Sequence, residues 1–343
     1  MLVYMKNLLL ASAILSCSTA FTQTNSDSAS FYFNKGLQEK TDRRLLVAHE
    51  AFDKAIAFNP QYTEAYLANA QVLLDMRRTD KALQNFTKLH ELQPGNKEAI
   101  KELMSLYFNY RQYDNAIAFA KKCADCADAD RITGMSYYHN EDYAQAEKAL
   151  LAAIKKNSND AEATYTLART YLDVEEYKKA VPWYEKSIAM PGAKNVWMYE
   201  LGLLYYNNND YKNAVTAFEK AAASGFEQKN DFNENMGYAS LYAGDYSKGE
   251  QLLLGILKRK PNNTVLLRDM SEIFYQQKQY DKSLEYCQKL MQIDAKDGKA
   301  LYQAGLCFQK KGEKDRGQQM CDKAIEMDPS LANLKRKKEM PGM

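Results

Sequence analysis

The sequence predicts an all-α fold built from about nine helix pairs in series, and three observations predict it. A small residue recurs at Ala48, Ala82, Ala116, Ala146, Ala180, Ala214, Gly249, Ser283 and Gly317, 34 residues apart except for one step of 30 and one of 35. A second series runs ahead of it at Gly36, Ala70, Met104, Gly134, Ala168, Gly202, Gly237, Ser271 and Gly305, with Met104 alone bulky. Between the two, a tyrosine returns at Tyr113, Tyr143, Tyr177, Tyr211, Tyr246 and Tyr280. A fixed period of this length marks stacked repeats, each one supersecondary unit. Alternating apolar runs that would mark strands are nearly absent.

One unit shows why each half is a helix. In LGLLYYNNNDYKNAVTAFEKA, Leu201, Leu204 and Tyr205 recur at three- and four-residue steps, as do Tyr211, Ala214, Val215, Phe218 and Ala221. Asn207 to Asp210 between them are turn formers that bond their own backbone. Gly202 and Ala214 fall where two tightly joined helices must approach, so a larger side chain would hold them apart.

Along the chain, residues 1–20 combine a lysine, a short apolar run from Leu8 to Leu15 and then small residues, the pattern of an export signal. The run is far below the roughly 20 residues needed to span a bilayer. Two processing routes stay open: ordinary cleavage near Ser18-Thr19-Ala20, or lipidation of Cys17 in Ile14-Leu15-Ser16-Cys17, which resembles a bacterial lipobox. A polar linker is expected over 21–28, then nine units over Ala29 to Leu331 as one continuous domain, then a basic cap or tail over 332–343. The third unit ends early in KKCADCADAD, Lys121 to Asp130, so its second helix should be shorter. Pro182 is expected within the first turn of its helix, where it costs no intrahelical bond. Lys335, Arg336, Lys337 and Lys338 suit a solvated cap over the last unit.

The period, the leucine-glycine step, the tyrosine, the alanine and aromatic that follow, and Pro60, Pro94, Pro261 and Pro329 at unit ends together resemble the tetratricopeptide repeat. The resemblance covers nearly the whole chain. It implies a right-handed superhelical solenoid with the first helices lining the inner wall, where ligands of such proteins usually lie. Departures exist: Met198 stands where the family favours tryptophan, with Trp197 one place earlier. Chaperone-binding members clamp a terminal carboxylate, but Ser105 stands where the clamping asparagine would follow Lys101, so that partner class is not expected.

Function classes narrow quickly. Forty-six basic residues against 44 acidic ones leave a net charge of +2, too balanced for a chain whose main partner is nucleic acid. His49, His90 and His139 lie in separate units, and no nucleotide, nucleophile-elbow or metallopeptidase motif is present, so no enzyme activity, cofactor or metal is expected. Cys123 and Cys126 invite a redox reading, but without strand-then-helix context packing is the expected role. Cys287 and Cys321 occupy the place of Phe52 and Phe218 and read as apolar fillers.

What remains is a surface. First-helix residues off the core stripe are Tyr138, Tyr165, Arg169, Tyr199, Tyr206, Asn207, Tyr238, Arg268, Tyr275 and Tyr302. Tyrosine gives large contact area at small entropy cost and keeps a hydroxyl for bonding. These residues are the expected partner-binding groove of an exported scaffold in the periplasm or at the outer membrane, taking a protein or peptide partner. The alternative is a surface lipoprotein, anchored only through Cys17, that captures a glycan or other small ligand. With Trp183 and Trp197 as the sole tryptophans, sugar-stacking platforms are scarce.

Overall fold

The computed structural model describes residues 26–333. The expected leader with Cys17, and the basic residues 335–338, lie outside the described residues. Among the described residues the structure is all-helical. Residues 26–28, assigned to the linker from sequence, are already helical; Ser26, Asp27 and Ser28 are residue types that suit a helix start.

Two compact units are distinguished, one ending at Glu176 and one beginning at Tyr177. The first holds α1 (26–41), α2 (Leu45–Phe58), α3 (Thr63–Asp75), α4 (Thr79–Leu92), α5 (Lys97–Asn109), α6 (Tyr113–Lys122), α7 (Ala129–His139), α8 (Tyr143–Lys156) and α9 (Ala161–Asp173). The second holds α10 (Tyr177–Ile188), α11 (Asn195–Asn207), α12 (Tyr211–Ala223), α13 (Asn230–Ala243), α14 (Tyr246–Leu257), α15 (Thr264–Gln276), α16 (Tyr280–Ile293), α17 (Gly298–Lys310) and α18 (Lys314–Met327), closed by a 3-10 turn at Pro329–Leu331. All six recurring tyrosines are the first residue of a second helix. As expected, α6 is short, with 10 residues.

The turns inside the pairs are built alike, and their residue types conceal it. Arg43, Arg77, Arg111, Glu141, Glu175, Asn209 and Lys278 each have φ between 57° and 61°, and Gly244 and Gly312 stand at the equivalent places with φ of 92° and 98°. The residue after each donates its amide to the carbonyl five places back, from Arg44 to Glu39 (2.9 Å) through Glu313 to Phe308 (2.9 Å). This is the 6→1 bond of a Schellman end, which satisfies carbonyls that a helix terminus leaves orphaned. The next helix starts at once; Asp142, Asp210 and Asp245 accept from the amides of Gln145, Asn213 and Lys248 as N-caps.

The small residues are contact points: Gly249 and Gly317 approach the backbone of Gly237 and Gly305 as expected, while several first-helix glycines meet first the bulky residue four places after the second-helix small one. A Cβ built on Gly202 would meet the Phe218 ring at 2.5 Å, rather than Ala214; one on Gly36 would meet Phe52 at 2.5 Å. Phe52, Phe86, Leu150, Phe218 and Leu253 share this place and are fully buried. Removing such a phenylalanine typically costs about 3–5 kcal/mol. In the third pair the volumes are exchanged: Met104 is buried on the first helix and Ala120 takes the aromatic place on the second, both in one core cluster.

Two sequence readings are corrected. Pro182 is the sixth residue of α10 and lies inside the helix, not in its first turn. Its missing N–H leaves the Lys178 carbonyl without its i+4 partner. Because Pro182 is exposed, Pro182→Ala is expected to raise stability by about 1–3 kcal/mol in urea unfolding; an unchanged midpoint would contradict this. Cys123 and Cys126, read as packing residues, form a disulfide with Cα atoms 5.3 Å apart. The chain leaves α6 at Cys123, and the Cys126 amide bonds the Cys123 carbonyl at 2.8 Å. The pair therefore sits on a tight turn, not along a helix face. Cys287, Cys307 and Cys321 are buried free thiols.

Candidate functional site

In each unit the first helices form the closer-packed layer. Within the first, α5 touches α7 and α7 touches α9; within the second, α13 touches α15 and α15 touches α17, while consecutive second helices make no comparable approach among the described residues. The candidate groove residues sit on this layer.

In the first unit, the Tyr138 hydroxyl donates to Asp173 Oδ2 at 2.7 Å. Burial, then this bond, pushes its pKa strongly up. Arg169 Nη1 donates to the Tyr165 hydroxyl at 3.3 Å, and Nη2 lies 4.0 Å from Asp173 Oδ2. Tyr138, Tyr165 and Arg169 thus belong to one set, held in place by each other and by Asp173.

In the second unit, the predicted residues divide. Tyr199 stacks on Phe226, with centroids 4.5 Å apart and 20° between planes, and accepts from Asn235 Nδ2 at 2.9 Å. It helps build the core around Phe218 and Phe232. Tyr302 is 6% exposed and packs with Cys321, Ala324 and Leu331. Tyr275 is half-buried with its ring 5.7 Å from Tyr280, and Asn207 is exposed at the end of α11. Arg268 makes two bonds to Asp297, at 3.3 and 2.8 Å, and so braces α15 to the N-cap of α17. Burial opposes the charge on Asp297, but these bonds and the Ala300 amide outweigh it and hold the carboxyl below its usual range.

That depressed pKa fixes a sign. The pair stabilises the fold above the ordinary aspartate value of about 4, and its contribution is lost as pH falls through the lowered folded-state value. Arg268→Gln should therefore cost about 1 kcal/mol at pH 7 and less at pH 2. Urea titrations of both proteins at the two pH values check this; a gap that does not shrink in acid would refute it.

Tyr206 and Tyr238 are brought together. They line a cavity of about 220 Å³ with Tyr242, Asp269, Glu272, Ile273 and Gln276. The Tyr238 hydroxyl donates to Asp269 Oδ2 at 2.9 Å. Tyr242 stacks on Tyr211 with centroids 4.6 Å apart, and Tyr206 meets Tyr211 edge-on at 5.6 Å. Burial, followed by Tyr242, Tyr211 and Asp269, pushes the Tyr206 hydroxyl up to about 12. Three successive first helices, α11, α13 and α15, supply these groups. Tyr242, Asp269, Glu272 and Gln276 were missed from sequence; the signal was available in Tyr242, which lies two residues before a turn, as Asp173 does.

The three histidines serve elsewhere. His49 Nδ1 bonds Asn69 Oδ1 at 2.7 Å, His90 Nε2 lies 2.9 Å from Lys122 Nζ, and His139 stacks on Tyr113 at 4.8 Å. Trp197 is buried, and Trp183 lies under Lys186 at 5.0 Å.

Comparison with known proteins gives consistent matches. Two profiles described as Tetratricopeptide repeat match, one over residues 133–194 and 199–264 and the other over 298–331. The chain is 22% identical over 158 residues to "Antiviral innate immune response effector IFIT1" of Macaca fascicularis, covering 45% of this chain and 32% of that protein. It is 23% identical over 144 residues to "TPR repeat-containing protein YpiA" of Bacillus subtilis (strain 168), covering 41% and 34%. The matched region thus spans about a third of either relative. Among solved structures, that of YrrB, described as a TPR protein with an unusual peptide-binding site, is 23% identical with a TM-score of 0.40, covering 57% of this chain and all of that one.

Proposed function

We propose, from the premise that this chain is a tetratricopeptide-repeat protein, that it is a non-enzymatic scaffold of the cell envelope that holds a protein or peptide segment on its first-helix face. Proteins of this family generally mediate protein–protein interactions. One observation carries the reading: the cavity among α11, α13 and α15, where three tyrosines, two carboxylates and an amide converge. Aromatic anchors of this kind supply most of the affinity of an interface, and flanking charges set its register.

An exported location is part of the proposal. It is supported by the leader-like pattern of residues 1–20 and by the Cys123–Cys126 disulfide, a bond that persists in oxidising compartments. The mass of the mature N-terminus distinguishes the two processing routes, a diacylated Cys17 from an unmodified end.

The test is capture from an envelope extract by the full chain beside a Tyr206→Ala/Glu272→Lys variant, with retained proteins identified by mass spectrometry. The expected result is a partner retained by the unaltered chain and lost by the variant. Equal retention by both moves the interface off the cavity, the observation that carries this reading, and overturns it.

A further inference from the structure

We propose that the cavity among α11, α13 and α15 is a receptor for the guanidinium group of an arginine side chain on the captured segment, an assignment that rests on the scaffold reading above for its biological use. The cavity is lined by Tyr206, Tyr238, Tyr242 and Ile273, with Asp269, Glu272 and Gln276 as its polar groups. No lysine or arginine is among the lining residues. The charged groups that bear on the three tyrosines are Asp269, Glu234 and Glu272, all carboxylates. A cation over a tyrosine face with carboxylates at its edge gains both quadrupole attraction and charge-assisted bonds.

The second observation is internal to the chain. Positions can be counted back from the left-handed turn residues Glu141, Glu175, Asn209 and Gly244. Tyr138 and Tyr206 both stand three before a turn, Arg169 and Tyr238 six before the next, and Asp173 and Tyr242 two before it. In the first unit this register is occupied by the chain's own guanidinium: Arg169 lies at the Tyr165 hydroxyl and beside Asp173, and its charge reaches Tyr138. In the second unit tyrosines stand at the places of both Arg169 and Asp173, the carboxylates arrive from α15 instead, and the cavity they line has no cationic side chain among its lining residues. Arginine suits it better than lysine because its planar fork stacks on a ring while its edge pairs with a carboxylate.

The experiment titrates N-acetyl-arginine amide into the full chain carrying ¹³C-labelled tyrosine rings, with N-acetyl-citrulline amide as the neutral isostere and N-acetyl-lysine amide as the compact cation. Arginine is expected to shift the rings of Tyr206, Tyr238 and Tyr242 and to bind at least tenfold more tightly than citrulline. Asp269→Asn/Glu272→Gln should erase that tenfold difference while the circular dichroism stays as in the unaltered chain. Exposed Glu272→Lys, which sets an ammonium at the cavity, should block arginine outright.

Citrulline binding as well as arginine would overturn the proposal, as would unchanged arginine affinity in the double variant, or shifts confined to tyrosines outside the cavity. Lysine binding as tightly as arginine would overturn the guanidinium assignment. The scaffold reading fails separately. A partner held equally by the chain and by Asp269→Asn/Glu272→Gln sinks the arginine receptor alone, whereas arginine bound in the cavity with no segment retained on the first-helix face sinks the scaffold alone.

Discussion

Gly317→Val is expected to cost about 3 kcal/mol, the upper end for overpacking a helix contact. A Cβ at Gly317 would lie 2.5 Å from the Gly305 carbonyl oxygen and 2.8 Å from the Gln309 amide nitrogen, both backbone atoms that no rotamer change can move away. The two helices of the last pair must therefore part. Since repeats interact mainly with their neighbours, the loss should concentrate in α17 and α18 and appear as faster hydrogen exchange there before the rest of the chain responds. Gly255→Ala is the control. It also removes a helical glycine, but a Cβ there meets nothing within 4 Å, so it should stabilise by about 0.5–1 kcal/mol through helix propensity. Substitutions that shift stability in the same direction would contradict the assigned contact.

Ala120→Phe should be comparably damaging, and uniquely repairable. Ala120 is 2% exposed and shares a core cluster with fully buried Met104, so a ring inserted at Ala120 meets the methionine, with a cost of about 3 kcal/mol. Met104→Gly alone removes a buried side chain and weakens the helix, costing about 3–4 kcal/mol. Together the two changes recreate the glycine–phenylalanine arrangement of Gly202 and Phe218, where the same two places carry opposite volumes. A coupling energy of about 2–3 kcal/mol in the double-mutant cycle is expected. Simple additivity would mean that the two side chains do not share one space.

Much of this was legible because it is periodic. A residue such as Gly202 or Ala214 carries its meaning through its spacing, and Tyr211 marks the first turn of a helix wherever the period places it. The turn conformation was hidden because arginine, glutamate and lysine have no leaning toward positive φ; residues such as Arg77 and Glu141 adopt it at a cost of about 1–2 kcal/mol each because the helices on both sides require it. Pro182 was misplaced although the helix start at Tyr177 was legible: five residues beyond that start is already past the first turn, where the N–H of residue 182 would bond the Lys178 carbonyl. The cavity was only half read. Tyr206 and Tyr238 belong to the stripe that a single repeat displays, whereas Asp269 and Glu272 matter through a convergence of three repeats, which no one period records. The early end of the third unit was legible, but the Cys123–Cys126 bond was not, because the cysteines were weighed against a thioredoxin-like context and not against the turn that the shortened helix leaves.

The uniformity of the nine turns makes the chain editable by whole cassettes. Cutting after Glu141 and rejoining at Glu176 deletes residues 142–175, one full period, and places Glu176 after a left-handed glutamate as before. The splice restores the same amide-to-carbonyl ring, now between Glu176 and the retained Tyr137, and returns the tyrosine of α10 to the head of a second helix. Length in such a chain is thus a variable that recombination can change in units of one repeat without inventing a new joint, while each junction stays chemically the same.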